Sequence, residues 1–274
     1  KLDDFAVGGI GCESTGGYER ELRESLRKTA YGLWVIEHRR IKAFMVSKGS
    51  RSKTDKIDAK RIAEFVSINH QDYSVIHKTD AQENLQALVN RRSDLIQFRA
   101  SERTRLKHPS HVASQSNIIK FCKILDQEIK ALNRQIEELI KSDVELSKKV
   151  RIIESVPGIG KTTAGLLASF IPELGKLSNR KISALMGLCP YENESGKYKG
   201  KKFIKGGRSI PRKALYMCAL TTIKYRYGLK EFYDRLRANN KPFKIAIVAV
   251  MHKLIMLVNA LLRRSELYTP KFQV

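Results

Sequence analysis

Apolar positions along the chain follow three different periods. Near the start the runs are short: Val7-Gly8-Gly9-Ile10-Gly11-Cys12 and Leu33-Trp34-Val35-Ile36 have strand length. The first reads as a strand buried on both faces. Between them Tyr18, Leu22 and Leu26 recur every four residues, which predicts a helix over 18–29. Strand, helix and strand with short joints make a βαβ unit and a parallel pair. Thr54 can cap a further helix carrying Ile57, Ile62, Phe65 and Val66. From 81 to about 107 the pattern is helical and highly charged, with Leu85, Leu88, Leu95 and Ile96 as its apolar line. His108-Pro109-Ser110 interrupts it. Ile118, Cys122, Leu125, Ile129, Leu132, Ile136 and Leu139 then repeat at alternating intervals of four and three, a heptad pattern. Two such helices can pair with each other as an antiparallel hairpin or with those of a second chain, and the pattern admits both. Segments at 166–170, 182–188, 214–225 and 243–262 predict a helical C-terminal domain. The expected fold class is α/β plus all-α: an α/β domain at 1–75, a helical coiled-coil connector at 76–150 and a helical domain at 151–274.

Charge narrows the partners. Against 28 Asp and Glu stand 52 Lys and Arg, a net charge of +24 in a chain of 274 residues. Such a field favours a polyanion, nucleic acid first and an anionic membrane surface second. The apolar run at 243–262 is interrupted by Lys244, His252, Lys253 and Asn259, which suits a buried helix better than a membrane span. The four cysteines are far apart and lack metal-site spacing, so they read as reduced thiols of a cytoplasmic protein.

Three stretches carry candidate chemistry. Glu13 closes the first predicted strand, where functional groups gather in parallel sheets. Asp55 and Asp58, three apart at a helix start, share one face; the helix dipole alone also favours acids there. Brought together, the three carboxylates would hold Mg²⁺ at a phosphodiester. The second stretch, Val156-Pro157-Gly158-Ile159-Gly160-Lys161, lacks the first glycine of a P-loop, because Ser155 stands in its place. It reads instead as a helix-hairpin-helix turn whose Gly158, Gly160 and Lys161 meet a DNA phosphate without reading sequence. The third is Glu194-Ser195-Gly196 and the basic loop after it. From 197 to 213 the chain has eight Lys or Arg and no acid. Lys197, Lys199, Lys201, Lys202, Lys205, Arg208 and Arg212 would track a phosphate backbone past the Ser195 hydroxyl.

Two groups of these motifs resemble one family. Glu13-Ser14-Thr15-Gly16-Gly17-Tyr18 with Lys53-Thr54-Asp55-Lys56-Ile57-Asp58-Ala59 is similar to the RuvC-like, RNase-H-like DEDD domain of insertion-sequence transposases of the IS110 group. Val156-Pro157-Gly158-Ile159-Gly160, Gly187-Leu188-Cys189-Pro190, Glu194-Ser195-Gly196, Lys205-Gly206-Gly207 and Arg212-Lys213-Ala214-Leu215-Tyr216 resemble its C-terminal transposase domain. The resemblance implies a recombinase in which a noncoding bridge RNA pairs target and donor DNA. It implies Glu13, Asp55 and Asp58 as Mg²⁺ ligands and Ser195 as the nucleophile that stores the bond energy in a phosphoserine linkage. It also implies a site shared between protomers of a homo-oligomer, dimer or tetramer, with no membrane partner. The family's first Asp has no counterpart here, since Asp3 and Asp4 stand too close to Glu13, so the domain is expected to be N-terminally incomplete. Two other readings fit the same residues. One is a RuvC-like structure-selective nuclease using metal-activated water; the other is a non-catalytic helix-hairpin-helix nucleic-acid-binding protein.

Overall fold

In the computed structural model, residues 7–14, 16–26, 29, 31–49, 54–70, 79–195, 198–200, 202–225 and 228–270 are described, with the backbone alone at 109–111, 195, 198 and 199. The chain divides into two units, Lys1–His77 and Lys78–Val274.

In the first unit β1 (Ile10–Glu13) and β2 (Leu33–Ile36) pair in parallel, from Ile10 opposite Leu33 to Glu13 opposite Ile36. α1 (Glu19–Leu26) joins them, completing the expected βαβ unit. α2 (His38–Ser47) follows, then α3 (Asp55–Asn69), capped by the Thr54 hydroxyl, which accepts from the Ile57 N–H at 3.3 Å. Gly11 lets α3 lie on the sheet, because a Cβ there would stand 2.5 Å from Val66 Cγ2. Ile36, Ile41 and Phe65 form the core, with the Phe44 ring edge-on to Phe65 at 5.3 Å between centroids. Two expectations are corrected. β1 is half-buried along its whole length, since α3 covers only one of its faces in this small unit. The apolar line of α1 is mostly outside: Leu26 is buried, whereas Leu22 and Tyr18 are 39% and 89% exposed.

The second unit begins with α4 (Asp80–Leu106), whose start is a capping box: Thr79 accepts from the Gln82 N–H, and the Gln82 side chain accepts from the Thr79 N–H. A 3₁₀ turn at Pro109–Ser114 replaces the sequence break, and α5 (Gln115–Ser142) runs back along α4. The heptad therefore pairs two helices of one chain. Leu95, Leu125 and Ile129 meet between them, and Arg92 donates to Asn133 at 2.6 Å. Leu85, Val89, Ile136 and Ile140 continue this seam into the main core.

That core is built on α6 (Val144–Glu154), α7 (Lys161–Phe170), α8 (Asn179–Leu185), α9 (Ser209–Lys224) and α11 (Phe243–Arg264), and α10 (Lys230–Ala238) packs Phe232 and Tyr233 against it without fully burying any residue. The apolar run at 243–262 is α11, and most of that helix is buried in the core. Asn259, fully buried on α11, is satisfied: it accepts from the Gly175 N–H and donates to Leu177 O and Asn179 Oδ1. α2 and α10 are helices that the apolar periodicity did not announce.

Candidate functional site

Glu13 is the last residue of β1, at its carboxyl end. Its carboxylate is about one-third exposed and is bound by Nδ1 of His38, the first residue of α2. Asp55 and Asp58 occupy the first turn of α3, Asp55 exposed and Asp58 half-buried. Their oxygens are hard donors of the kind Mg²⁺ takes. Among the described residues, however, no three His, Cys, Asp or Glu side chains gather as one metal-holding group. The structure thus shows a Glu13–His38 pair and an Asp55/Asp58 turn, and the three acids do not form a ready ligand set. His38 was missed in the sequence; nothing periodic marks a residue whose role comes from a strand end 25 positions earlier.

Beside Glu13 opens a cavity of about 770 Å³, lined by Gly11, Cys12, Tyr18, Trp34, Ile62 and His70 among others. Burial, reinforced by Glu19, pushes the Cys12 thiol above its ordinary value. It is therefore a neutral thiol near pH 7 and a poor nucleophile.

Within the second unit, the basic loop is a nested β-hairpin. β3 (Pro190–Tyr191) pairs with β6 (Phe203–Ile204), and inside it β4 (Glu194–Ser195) pairs with β5 (Tyr198–Lys199). The Gly200 N–H donates to Asn193 O at 2.9 Å between the two tiers. Ser195 faces Tyr198 across the inner pair, so only two residues separate it from its partner and it stands at the tip of the arm. Lys197 and Lys201 lie outside the described residues, and Lys199 belongs to β5. Lys202 pairs with Glu192, and the Lys205 ammonium lies 5.4 Å from the Tyr191 ring centre.

The two arginines of the predicted track are engaged at the foot of the arm. Arg208 makes a fork with Glu173, Nη1 to Oε2 at 2.7 Å and Nη2 to Oε1 at 2.6 Å, and Nη1 also donates to Phe170 O at 2.8 Å. Arg212 donates to the carbonyls of Gly206 and Gly187.

The turn between α6 and α7 holds Gly158 at φ +92° and uses Gly160 as the N-cap of α7. Gly158 packs on α9, where a Cβ would meet Thr222 Oγ1 at 2.3 Å, whereas Gly160 has open space before it. Burial pushes the Cys218 thiol up, against hydrogen bonds from Thr163 and the Gly160 backbone. The Lys161 ammonium pairs with Glu137 of α5 at 3.0 Å.

The sequence matches two family models. One, described as "Transposase" and of the DEDD IS110 type, covers residues 2–109; the other, "Transposase IS116/IS110/IS902 family", covers residues 150–234. The chain belongs to the IS110/IS116/IS902 family of transposases. Among its relatives are the pilin gene-inverting proteins of Moraxella lacunata and Moraxella bovis, each 28% identical over 93% of this chain and 80% of the relative. The transposase for insertion sequence element IS1111A of Coxiella burnetii is 25% identical over 96% of this chain and 79% of its own length. The first model spans the carboxylates and the second spans the serine arm, as the resemblance of the motifs implied.

Proposed function

We propose that this protein is a DNA recombinase of an insertion element, cleaving and rejoining strands through a covalent bond between Ser195 and DNA. The observation that carries the reading is the placement of Ser195 at the tip of a nested hairpin, inside the segment that matches the family's transposase model. In this reading the Ser195 hydroxyl attacks a strand that the arm's lysines hold by its phosphates. In the step, a Ser195 Oγ–P bond forms and the P–O bond to one strand end breaks. The serine proton leaves with the departing oxygen. A later attack by a strand-end hydroxyl reverses the exchange, so bond energy is conserved and no co-reactant is consumed.

Glu13, Asp55 and Asp58 are the residues of this chain assigned to a divalent cation, Mg²⁺, which when bound supplies charge neutralisation at the phosphate. Because they do not gather here as one ligand set, no step is derived through the metal. A bridge RNA is assigned the choice of DNA site. That assignment follows the resemblance of the motifs, and the net charge of +24 suits a protein that holds two nucleic acids. A homo-oligomer completes the reading.

The test uses the whole chain with its noncoding RNA and a duplex carrying the element's end. The unmodified protein should yield a protein–DNA adduct that survives denaturing electrophoresis. Ser195→Ala should abolish the adduct and leave DNA and RNA affinity unchanged. An adduct in the Ala variant removes the serine assignment. Strand cleavage with no adduct in either protein supports a water-using nuclease, and omission of the RNA without effect removes the guide.

A further inference from the structure

The foot of the serine arm is organised around an ion pair that the count of basic residues disguises. The arm leaves the helical core after Gly187 and returns through Gly206 and Gly207, both at positive φ. There the two backbones cross so closely that a Cβ on Gly207 would stand 2.2 Å from Gly187 N. Arg208 follows at once. Its N–H donates to Leu185 O at 2.8 Å, and its guanidinium reaches Glu173, which is 9% exposed, and Phe170 O. Arg212, one turn further on, donates to Gly206 O and Gly187 O, so it ties the outgoing and returning backbones together.

We propose that Arg208 and Glu173 are positioning residues that aim the serine arm, a role that rests on the reading of Ser195 as nucleophile. The arm cannot hold its own direction. Its strands are two residues each, and a lone two-stranded hairpin is marginal in water. Direction therefore has to come from the foot. A forked Arg–carboxylate contact fixes angle as well as distance, which a single contact does not. Glu173 is buried and Arg208 about one-third exposed, and an ion pair so placed adds little net stability, so geometry is the better account of its presence. The leverage is large: at about 3.3 Å per residue, Ser195 stands up to about 25 Å beyond the crossing. A tilt of a few degrees at the foot moves the tip by about 1 Å, and a misplacement of that size costs on the order of a hundredfold in rate.

Arg208→Lys keeps the charge and removes the fork. In single-turnover assays with the element-end duplex and its RNA, adduct formation should slow about a hundredfold. DNA affinity and the melting temperature should stay near those of the unmodified chain. Amide hydrogen exchange should speed up at 190–204 and stay slow in α11. Glu173→Asp, which keeps the charge one methylene further back, should show a smaller loss of the same kind. An unchanged rate overturns the proposal, as does a rate loss that follows the melting temperature with 190–204 still protected. If Arg208→Lys fails to fold, Glu173→Asp carries the same two readouts. The exchange measurement needs no catalysis. If Ser195→Ala retains the adduct, the serine reading falls while exchange at 190–204 still decides whether the pair holds the arm.

Discussion

Lys149 brings an ammonium into half-buried ground, where its Nζ donates to Pro172 O at 3.2 Å and Ile171 O at 3.4 Å. Burial, with help from Lys176 and against Glu173, pushes its pKa down to about 8. The sign of the consequence follows. Between about 8 and the ordinary 10.5 the unfolded chain holds the proton and the folded chain does not, so folding stability rises with pH across that window. Below 8 both states are protonated and the full penalty remains. Lys149→Met removes the titration. The stability of the unmodified chain relative to this variant should therefore increase by roughly 1–2 kcal/mol from the bottom to the top of the window, allowing for partial exposure. Urea unfolding at both ends measures it, and parallel pH profiles would sink the claim. At this scale the sequence shows a residue's charge and hides its partner. Lys149, Arg208 and Arg212 are indistinguishable in composition from Lys205, yet carbonyls and Glu173 hold the first three while Lys205 lies exposed over Tyr191. Glu13 was legible as a strand-end acid; its bond to His38 was not, because a helix start after the next strand supplies it.

Elements with a long apolar period were read correctly, and the arm and α10, which have none, were missed. α4, α5 and α11 each repeat their buried positions over many turns. The arm's strands are two residues each, too short to show a period, so nothing in its pattern separates it from a solvated loop. α10 is missed because Lys, Glu, Asp and Arg fill five of its nine positions and none of its residues is buried. The α6–α7 turn lies between these cases: its glycines are legible, but not which one is constrained. Gly158 is, by its φ of +92° and by Thr222 Oγ1 standing 2.3 Å from a Cβ. Thr222 is buried and donates to Cys218 O at 2.9 Å, so it has little room to yield. Gly158→Ala should destabilise the chain by about 2–4 kcal/mol, combining left-handed strain with overpacking. Gly160→Ala, at an ordinary φ with open space, should cost only the weaker N-cap preference of Ala, about 0.5–1 kcal/mol. Chemical denaturation of the two variants side by side decides the matter, and equal losses would mean the turn is not packed as described.

For the whole molecule the governing quantity is the net charge of +24, which sets a long-range attraction for polyanions but says nothing about where they bind. Many of the basic groups are already paired within the chain. Arg99 and Arg103 bind Asp126 between α4 and α5, Lys161 binds Glu137, and Arg208 binds Glu173. Pairing of this kind removes a cation from phosphate duty without changing the total, so salt dependence is a better locator than affinity. Each phosphate contact contributes about 0.9 to the slope of log affinity against log salt. If the arm holds DNA, Lys199→Gln with Lys205→Gln should lower the slope for a duplex by about 2. Arg103→Gln, which takes one positive charge from the hairpin of α4 and α5, should weaken binding slightly and leave the slope as it was. The two variants separate a local track from a diffuse field, because a diffuse field responds to total charge wherever it is removed. Fluorescence anisotropy titrations over a range of salt measure both. A slope unmoved by the arm substitutions would place the DNA on another face of the protein.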